Sequence, residues 1–94
     1  VKWGVQLNDE ETIYVWFDAL LNYIFSIKYY EDREFFNSYW NNSLQICGKD
    51  NLKFQAYIFQ AILIANNIPQ TKELLVHGTI LDENGFKMSE SLGN

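Results

Sequence analysis

The feature that most narrows what this chain can fold into is an alternation of short apolar runs with stretches of helical spacing. Thr12 to Trp16 is β-branched and aromatic, which is strand composition. Asp18 follows as a helix cap. A helix is expected from Ala19 to about Lys28, because Ala19, Leu20, Tyr23, Ile24 and Ile27 fall at the three-four spacing of a buried stripe. Tyr29 to Trp40 mixes charges with aromatics and reads as a polar connection, then a short helix around Arg33 to Tyr39. A second strand is expected from about Ser43 to Cys47, with Gly48-Lys49-Asp50 as the turn after it. The next helix, about Asn51 to Asn66, is apolar nearly all round and should be covered on more than one side. Asn66, Asn67 and Pro69 end it. Glu73 to His77 is the third strand and Gly78 breaks it. Thr79 to Lys87 reads as a hairpin with its tip at Asp82-Glu83-Asn84-Gly85, since Asn-Gly favours positive φ.

Strand, helix, strand, helix, strand makes two successive βαβ units. The fold class is therefore α/β, with three parallel strands joined by crossover helices. Ligands of such sheets bind beyond the carboxyl ends of the strands. That rule selects Phe17 to Leu20, Gly48 to Asn51 and His77 to Thr79 before any motif is considered.

Ninety-four residues hold one small domain or part of a larger one. An apolar share of 48% is ample for a core and excludes a disordered composition. An aromatic share of 17% is high for this length and suggests apolar faces that pack against something outside the chain. The net charge of −5 excludes the basic stripe of a phosphate-backbone binder, so a nucleic-acid partner would make its main contacts elsewhere in a longer protein. A single cysteine, Cys47, excludes an internal disulfide and a cysteine-based zinc site, and it reads as a small buried hydrophobe. No metal-ligand set is expected. With no signal peptide and no apolar run of bilayer length, the chain reads as cytoplasmic, without a membrane partner. It lacks an initiator Met and a closing element after Asn94, so both ends read as cuts.

Four segments carry candidate chemistry, each with an ordinary alternative. Trp16 with Ala19 and Tyr23 would wall an apolar substrate pocket, or Trp16 is simply core. Gly48 allows close approach to the backbone and Asp50 would accept ribose hydroxyls, or Asp50 or Asn51 merely caps a helix. His77-Gly78 lies on the ligand edge, or His77 is structural. Lys87-Met88-Ser89-Glu90-Ser91-Leu92-Gly93-Asn94 would bring an ammonium and a hydroxyl to developing phosphate charge, or it is a solvated linker.

Read together, Tyr14-Val15-Trp16-Phe17-Asp18-Ala19-Leu20-Leu21-Asn22-Tyr23, Gly48-Lys49-Asp50, Val76-His77-Gly78 and the Lys87 to Asn94 stretch resemble methionyl-tRNA synthetases, in the family's order and over the whole chain. The last segment looks like the class I loop usually written KMSKS, and the Trp-Phe-Asp-Ala…Asn-Tyr segment is what points to methionine. The resemblance implies the second half of a Rossmann-like catalytic domain over residues 1–94. The half with the HIGH motif, the connective insert and the anticodon-binding domain lie outside it. It implies a methionine-tRNA ligase that uses ATP with Mg²⁺, with tRNA(Met) bound through other domains and zinc confined to the insert. By position, Trp16, Ala19, Leu20, Tyr23 and Gln55 would line the methionine pocket. Gly48, Asp50, His77, Gly78, Ile80, Lys87 and Met88 would bind ATP, and Lys87 and Ser89 would act in catalysis.

Three departures from the family pattern stand out. Glu90 replaces the second Lys of the loop, Gln55 in Lys53-Phe54-Gln55 replaces a His beside the methionine pocket, and the turn before Lys87 is about one residue longer. Glu90 and Gln55 leave room for a synthetase-like paralogue that binds nucleotide or methionine without aminoacylation. A non-enzymatic acidic α/β interaction domain would leave the four ordered motifs as coincidence. The ninety-four residues alone are expected to be inactive.

Overall fold

A computed structural model describes residues 3–94. Its elements are α1 (Val15–Phe25), α2 (Arg33–Trp40), β1 (Leu44–Gly48), a single 3₁₀ turn (Lys49–Asn51), a π-helical stretch (Lys53–Ile58) running into α3 (Phe59–Ala65), and β2 (Glu73–His77). β1 and β2 pair in parallel, Leu44 opposite Glu73 through Gly48 opposite His77. The helical segment between them makes one βαβ unit, as the sequence pattern predicts.

The expected first strand is not formed. α1 begins at Val15 and takes up the end of that run. Thr12 makes only an isolated antiparallel bridge to Gln6, with the Ile13 amide donating to the Val5 carbonyl at 2.8 Å. Asn8 Oδ1 closes the connecting turn by accepting from the Glu10 and Glu11 amides, both at 2.8 Å. A strand needs a ladder, and beyond this single bridge no partner stands beside the run among the described residues, so strand propensity gives way to context. The sheet here therefore has two strands rather than three. Trp16 and Asp18 lie in the first turn of α1 instead of at a strand end, where the Asp18 carboxylate sits at the positive end of the helix dipole.

α1 ends at Phe25, three residues before the expected Lys28. Lys28 itself is left-handed (φ 63°), the Tyr29 amide donates to Ile24 O, and the Lys28 amide donates to Phe25 O. α3 stops the same way: Asn67 is left-handed (φ 56°), and the Ile68 and Asn67 amides donate to Leu63 O and Ile64 O. Both are two-bond helix closures that satisfy the last carbonyls. Asp32 caps α2 by accepting the Phe35 amide at 3.1 Å.

The core is Leu20, Ile24, Phe36, Trp40, Phe59, Ile62, Leu63 and Ile68, drawn mainly from the three α-helices. Phe36 stacks on Trp40 (5.7 Å between centroids) and Trp40 meets Phe59 edge-on (6.1 Å). The Trp40 indole donates to Pro69 O at 2.7 Å, so its one polar atom is satisfied within the core. Cys47 is buried on β1 and free. Contrary to expectation, the helical segment from Lys53 to Ala65 is covered on one side only: Phe59, Ile62 and Leu63 are buried while Tyr57 and Ile64 are exposed. Leu44, Ile46 and Leu75 share the other face of the sheet and are exposed too.

A partly buried polar chain fixes the start of β2 against α3. The Thr71 hydroxyl donates to Gln45 Oε1 (2.6 Å), while Gln60 Oε1 accepts the Thr71 amide (3.0 Å). After β2 the chain makes the expected hairpin. Leu81 bridges Lys87, the Asp82 amide donates to Phe86 O at 2.8 Å, and Gly85 supplies the positive φ (81°).

Candidate functional site

The carboxyl ends of β1 and β2 lie side by side, and the hairpin brings its last strand over them. The result is a cleft of about 170 Å³ lined by Gly48, Asp50, His77, Gly78, Thr79, Ile80, Lys87 and Met88. Seven of these eight are the residues given a nucleotide role by the resemblance, and Thr79 ends the stretch selected by the strand-end rule.

Within the cleft, Lys87 Nζ lies 3.3 Å from Asp50 Oδ2, both side chains largely exposed. The Lys87 hydrogen bond is the main reason that the Asp50 carboxyl titrates below its ordinary range, helped by backbone hydrogen bonding and the lysine's charge. Gly48 makes room for that carboxylate: a Cβ there would sit 2.7 Å from Asp50 Oδ1 and 3.4 Å from His77 Cε1. The backbone there (φ −74°) is ordinary, so Gly48 serves close approach and not a special turn. His77 Nδ1 lies 2.7 Å from Gly78 O. A carbonyl only accepts, so Nδ1 carries the proton of that hydrogen bond.

A second group sits where α1 crosses the π-helical stretch. The Trp16 ring stacks on Phe54 at 4.3 Å and 14°. Gln55 Nε2 donates to the Tyr23 hydroxyl at 2.9 Å. Gln55 is 4% exposed and its Oε1 has no partner. Tyr23 and Ala19 are open to solvent, whereas Leu20 is packed in the core and borders no open surface. The π-helical turn widens the helix at Phe54 and Gln55, a distortion frequent at functional sites. Its i→i+5 bonding leaves no trace in apolar periodicity.

The loop after the hairpin is ordered by its own polar groups. The Ser89 amide donates to Asn94 Oδ1 at 3.0 Å, and Ser89 Oγ accepts the Leu92 amide at 3.2 Å. Ser89 and Glu90 line a separate hollow with Met88, Gly93 and Asn94, outside the cleft that holds Lys87. Asp82, read from the sequence only as a turn residue, accepts from Asn84 and Phe86 amides and from Asn94 Nδ2. A further cavity, about 490 Å³, is walled by Trp3, Val5, Ile13, Tyr14, Val15 and Asp18 among others. The strand-like composition of Thr12 to Trp16 gives no sign of it. Among the described residues, no three His, Cys, Asp or Glu side chains are grouped to hold a metal ion, and no helix is long and apolar enough to cross a membrane.

Residues 1–94 match the family model described as tRNA synthetases class I (M). The chain is 44% identical over 95 residues to the methionine–tRNA ligase of Thermotoga maritima, covering 99% of this chain and 15% of that protein. It is 44% identical over 94 residues to the methionine–tRNA ligase of Rickettsia prowazekii, covering 98% and 18%. Its fold superposes on Mycobacterium tuberculosis methionyl-tRNA synthetase in complex with methionyl-adenylate with a TM-score of 0.79 at 37% identity, covering 100% of this chain and 19% of that one. The chain thus spans less than a fifth of the length of these relatives.

Proposed function

The chain belongs to the class I tRNA synthetases (M), and from that membership we propose that it is the nucleotide- and methionine-holding part of a methionine–tRNA ligase. In this reading it is the second half of the Rossmann-like catalytic domain. The methionine carboxylate attacks the α-phosphorus of ATP, the bond to the β-phosphate oxygen breaks, and methionyl-adenylate and pyrophosphate form. The methionyl group then passes to the terminal ribose of tRNA(Met), releasing AMP. Contacts to the tRNA are made chiefly by other parts of the protein, in keeping with the net charge of −5 here. A cytoplasmic site of action follows from the same reading.

The observation that carries the proposal is the single cleft at the ends of β1 and β2, which gathers Gly48, Asp50, His77, Gly78, Ile80, Lys87 and Met88. Asp50 accepts the ribose hydroxyls, with Gly48 keeping the backbone out of the way. His77, Gly78 and Ile80 flank the adenosine. Lys87 meets charge that grows on the phosphates in the transition state, where an ammonium counts most. Ser89 acts beside it as the loop settles over the phosphates. Trp16, Ala19, Tyr23 and Gln55 form the methionine side, with Leu20 behind them in the core. Mg²⁺ would enter with ATP and offset the charge of its phosphates.

Methionine-dependent exchange of pyrophosphate into ATP by the complete protein tests the proposal. Exchange that needs methionine and disappears in Lys87→Ala supports it; its absence in the wild type overturns it. Residues 1–94 alone are expected to show none. Glu90 is the observation favouring a second reading, ligand binding without aminoacylation. Stabilisation by methionyl-adenylate without any exchange would select that reading.

A further inference from the structure

We propose that Asp82 and Asn94 clamp the Lys87–Ser89 stretch into a closed ring and are positioning residues for Lys87, an inference that rests on the adenylate-forming reading above. Asp82 starts the hairpin tip. One oxygen, Oδ1, serves the turn itself and accepts the Asn84 and Phe86 amides, both at 2.9 Å. That local duty leaves Oδ2 over, and Oδ2 accepts Asn94 Nδ2 at 2.7 Å across 12 positions of sequence. The other end of the same amide, Asn94 Oδ1, accepts the Ser89 amide at 3.0 Å, and Nδ2 also reaches Lys87 O at 3.4 Å. One side chain therefore ties the hairpin tip to both flanks of Met88.

The backbone is shaped to allow this. Gly93 is left-handed (φ 69°) and its amide donates to Ser89 O and Glu90 O, which turns the chain back so that Asn94 faces Asp82. The stem below is held by the Leu81–Lys87 bridge and by the Met88 amide donating to Ile80 O at 3.1 Å. Lys87 thus leaves a braced ring on its way to the cleft, instead of a loose linker. Rigid support of this kind is how a long flexible side chain is kept within reach of its target.

The chemistry at each end is specific. The tip position must accept three donors, which a carboxylate does without competing donors of its own. Position 94 must donate to a carboxylate and accept a backbone N–H at once. Asn does both and Asp does not. Hydrogen bonding from Asn94, followed by the Phe86 and Asn84 amides, holds the Asp82 carboxyl below its ordinary range, so the clamp is charged at neutral pH.

The test is a polarity swap in the complete protein. Asn94→Asp keeps size and shape but sets two carboxylates against each other. It is expected to lower kcat/KM for ATP in pyrophosphate exchange by about 30-fold, the scale of one lost hydrogen bond to a charged group, with KM for methionine within about twofold. Asp82→Asn in the same chain restores the donor–acceptor pair with the ends exchanged, and should recover most of the loss. Hydrogen exchange at the Ser89 amide gives a readout independent of turnover: faster in Asn94→Asp, slowed again in the double variant. Equal losses for ATP and methionine, or no recovery in the double variant, would overturn the clamp. A wild type without methionine-dependent exchange would instead sink the reading of the site and the positioning role with it, while Ser89 amide exchange still reports whether the ring closes.

Discussion

Lys87 and Asp50, 37 positions apart, meet at 3.3 Å across the mouth of the cleft. The carboxylate proposed to hold the ribose is thus the same one that holds the loop lysine before a nucleotide enters. Binding of the diol must compete with this contact, and it frees Lys87 to move toward the phosphates. Because Lys87 is the first cause of the depressed Asp50 pKa, Lys87→Gln should let Asp50 titrate closer to its ordinary 3.8. The sign follows from linkage: a depressed carboxylate contributes above 3.8, and its contribution fades as pH falls through the folded-state value. The contact is solvent-exposed, so molar salt should weaken it. Carbon-detected NMR of labelled aspartates, at low and high salt, measures both effects.

Gly48→Ala should leave the fold intact, because φ −74° suits alanine. Its Cβ would press on Asp50 Oδ1 and move the carboxylate. KM for ATP is expected to rise roughly tenfold while KM for methionine holds, a split characteristic of displaced substrate contacts. Equal changes in both constants would place the damage elsewhere.

Gln55 leaves the Tyr23 hydroxyl in a defined role. The amide N–H donates to it, so the phenolic O–H is free to donate outward. Gln55→Leu removes that donor, and KM for methionine should rise about fivefold, the scale of one neutral hydrogen bond. Gln55→His keeps a donor but adds a group that titrates near neutrality, so methionine binding should become pH-dependent between about pH 5 and 7. Steady-state kinetics across that range separates the two outcomes.

Glu90 lines a hollow away from the Lys87 cleft. Glu90→Gln should therefore change KM for ATP by less than about twofold, since removal of a solvated charge costs little at the surface. A tenfold gain in exchange rate would mean that the loop turns Glu90 toward the phosphates during reaction.

Phe59 is fully buried between Trp40 and Tyr23. Phe59→Ala is expected to cost about 3–5 kcal/mol by leaving a cavity, read as a lower urea midpoint with an unchanged slope.

The parts that could be read from sequence are those punctuated by residues with one structural meaning. Gly48 closes β1, Gly78 follows β2, Asn67 and Pro69 follow α3, and Asn84-Gly85 marks the hairpin tip, so these element ends fall where the sequence places them. Thr12 to Trp16 misled because strand composition says nothing about whether a neighbour is present to pair with. The π-helical stretch left no periodic signal. Asp82 announced its turn but not its second partner, since Asn94 lies 12 residues on and is brought back only by Gly93.

The uncovered sheet face of Leu44, Ile46 and Leu75 has a consequence for how a longer chain matures. Both strands also show an unpaired outer edge among the described residues. Until a cover arrives, ribosome-borne or misassembled copies offer each other a ready template for edge pairing. A segment that covers this face would remove the template. Protection from self-association would then hinge on three side chains that lie outside the cleft.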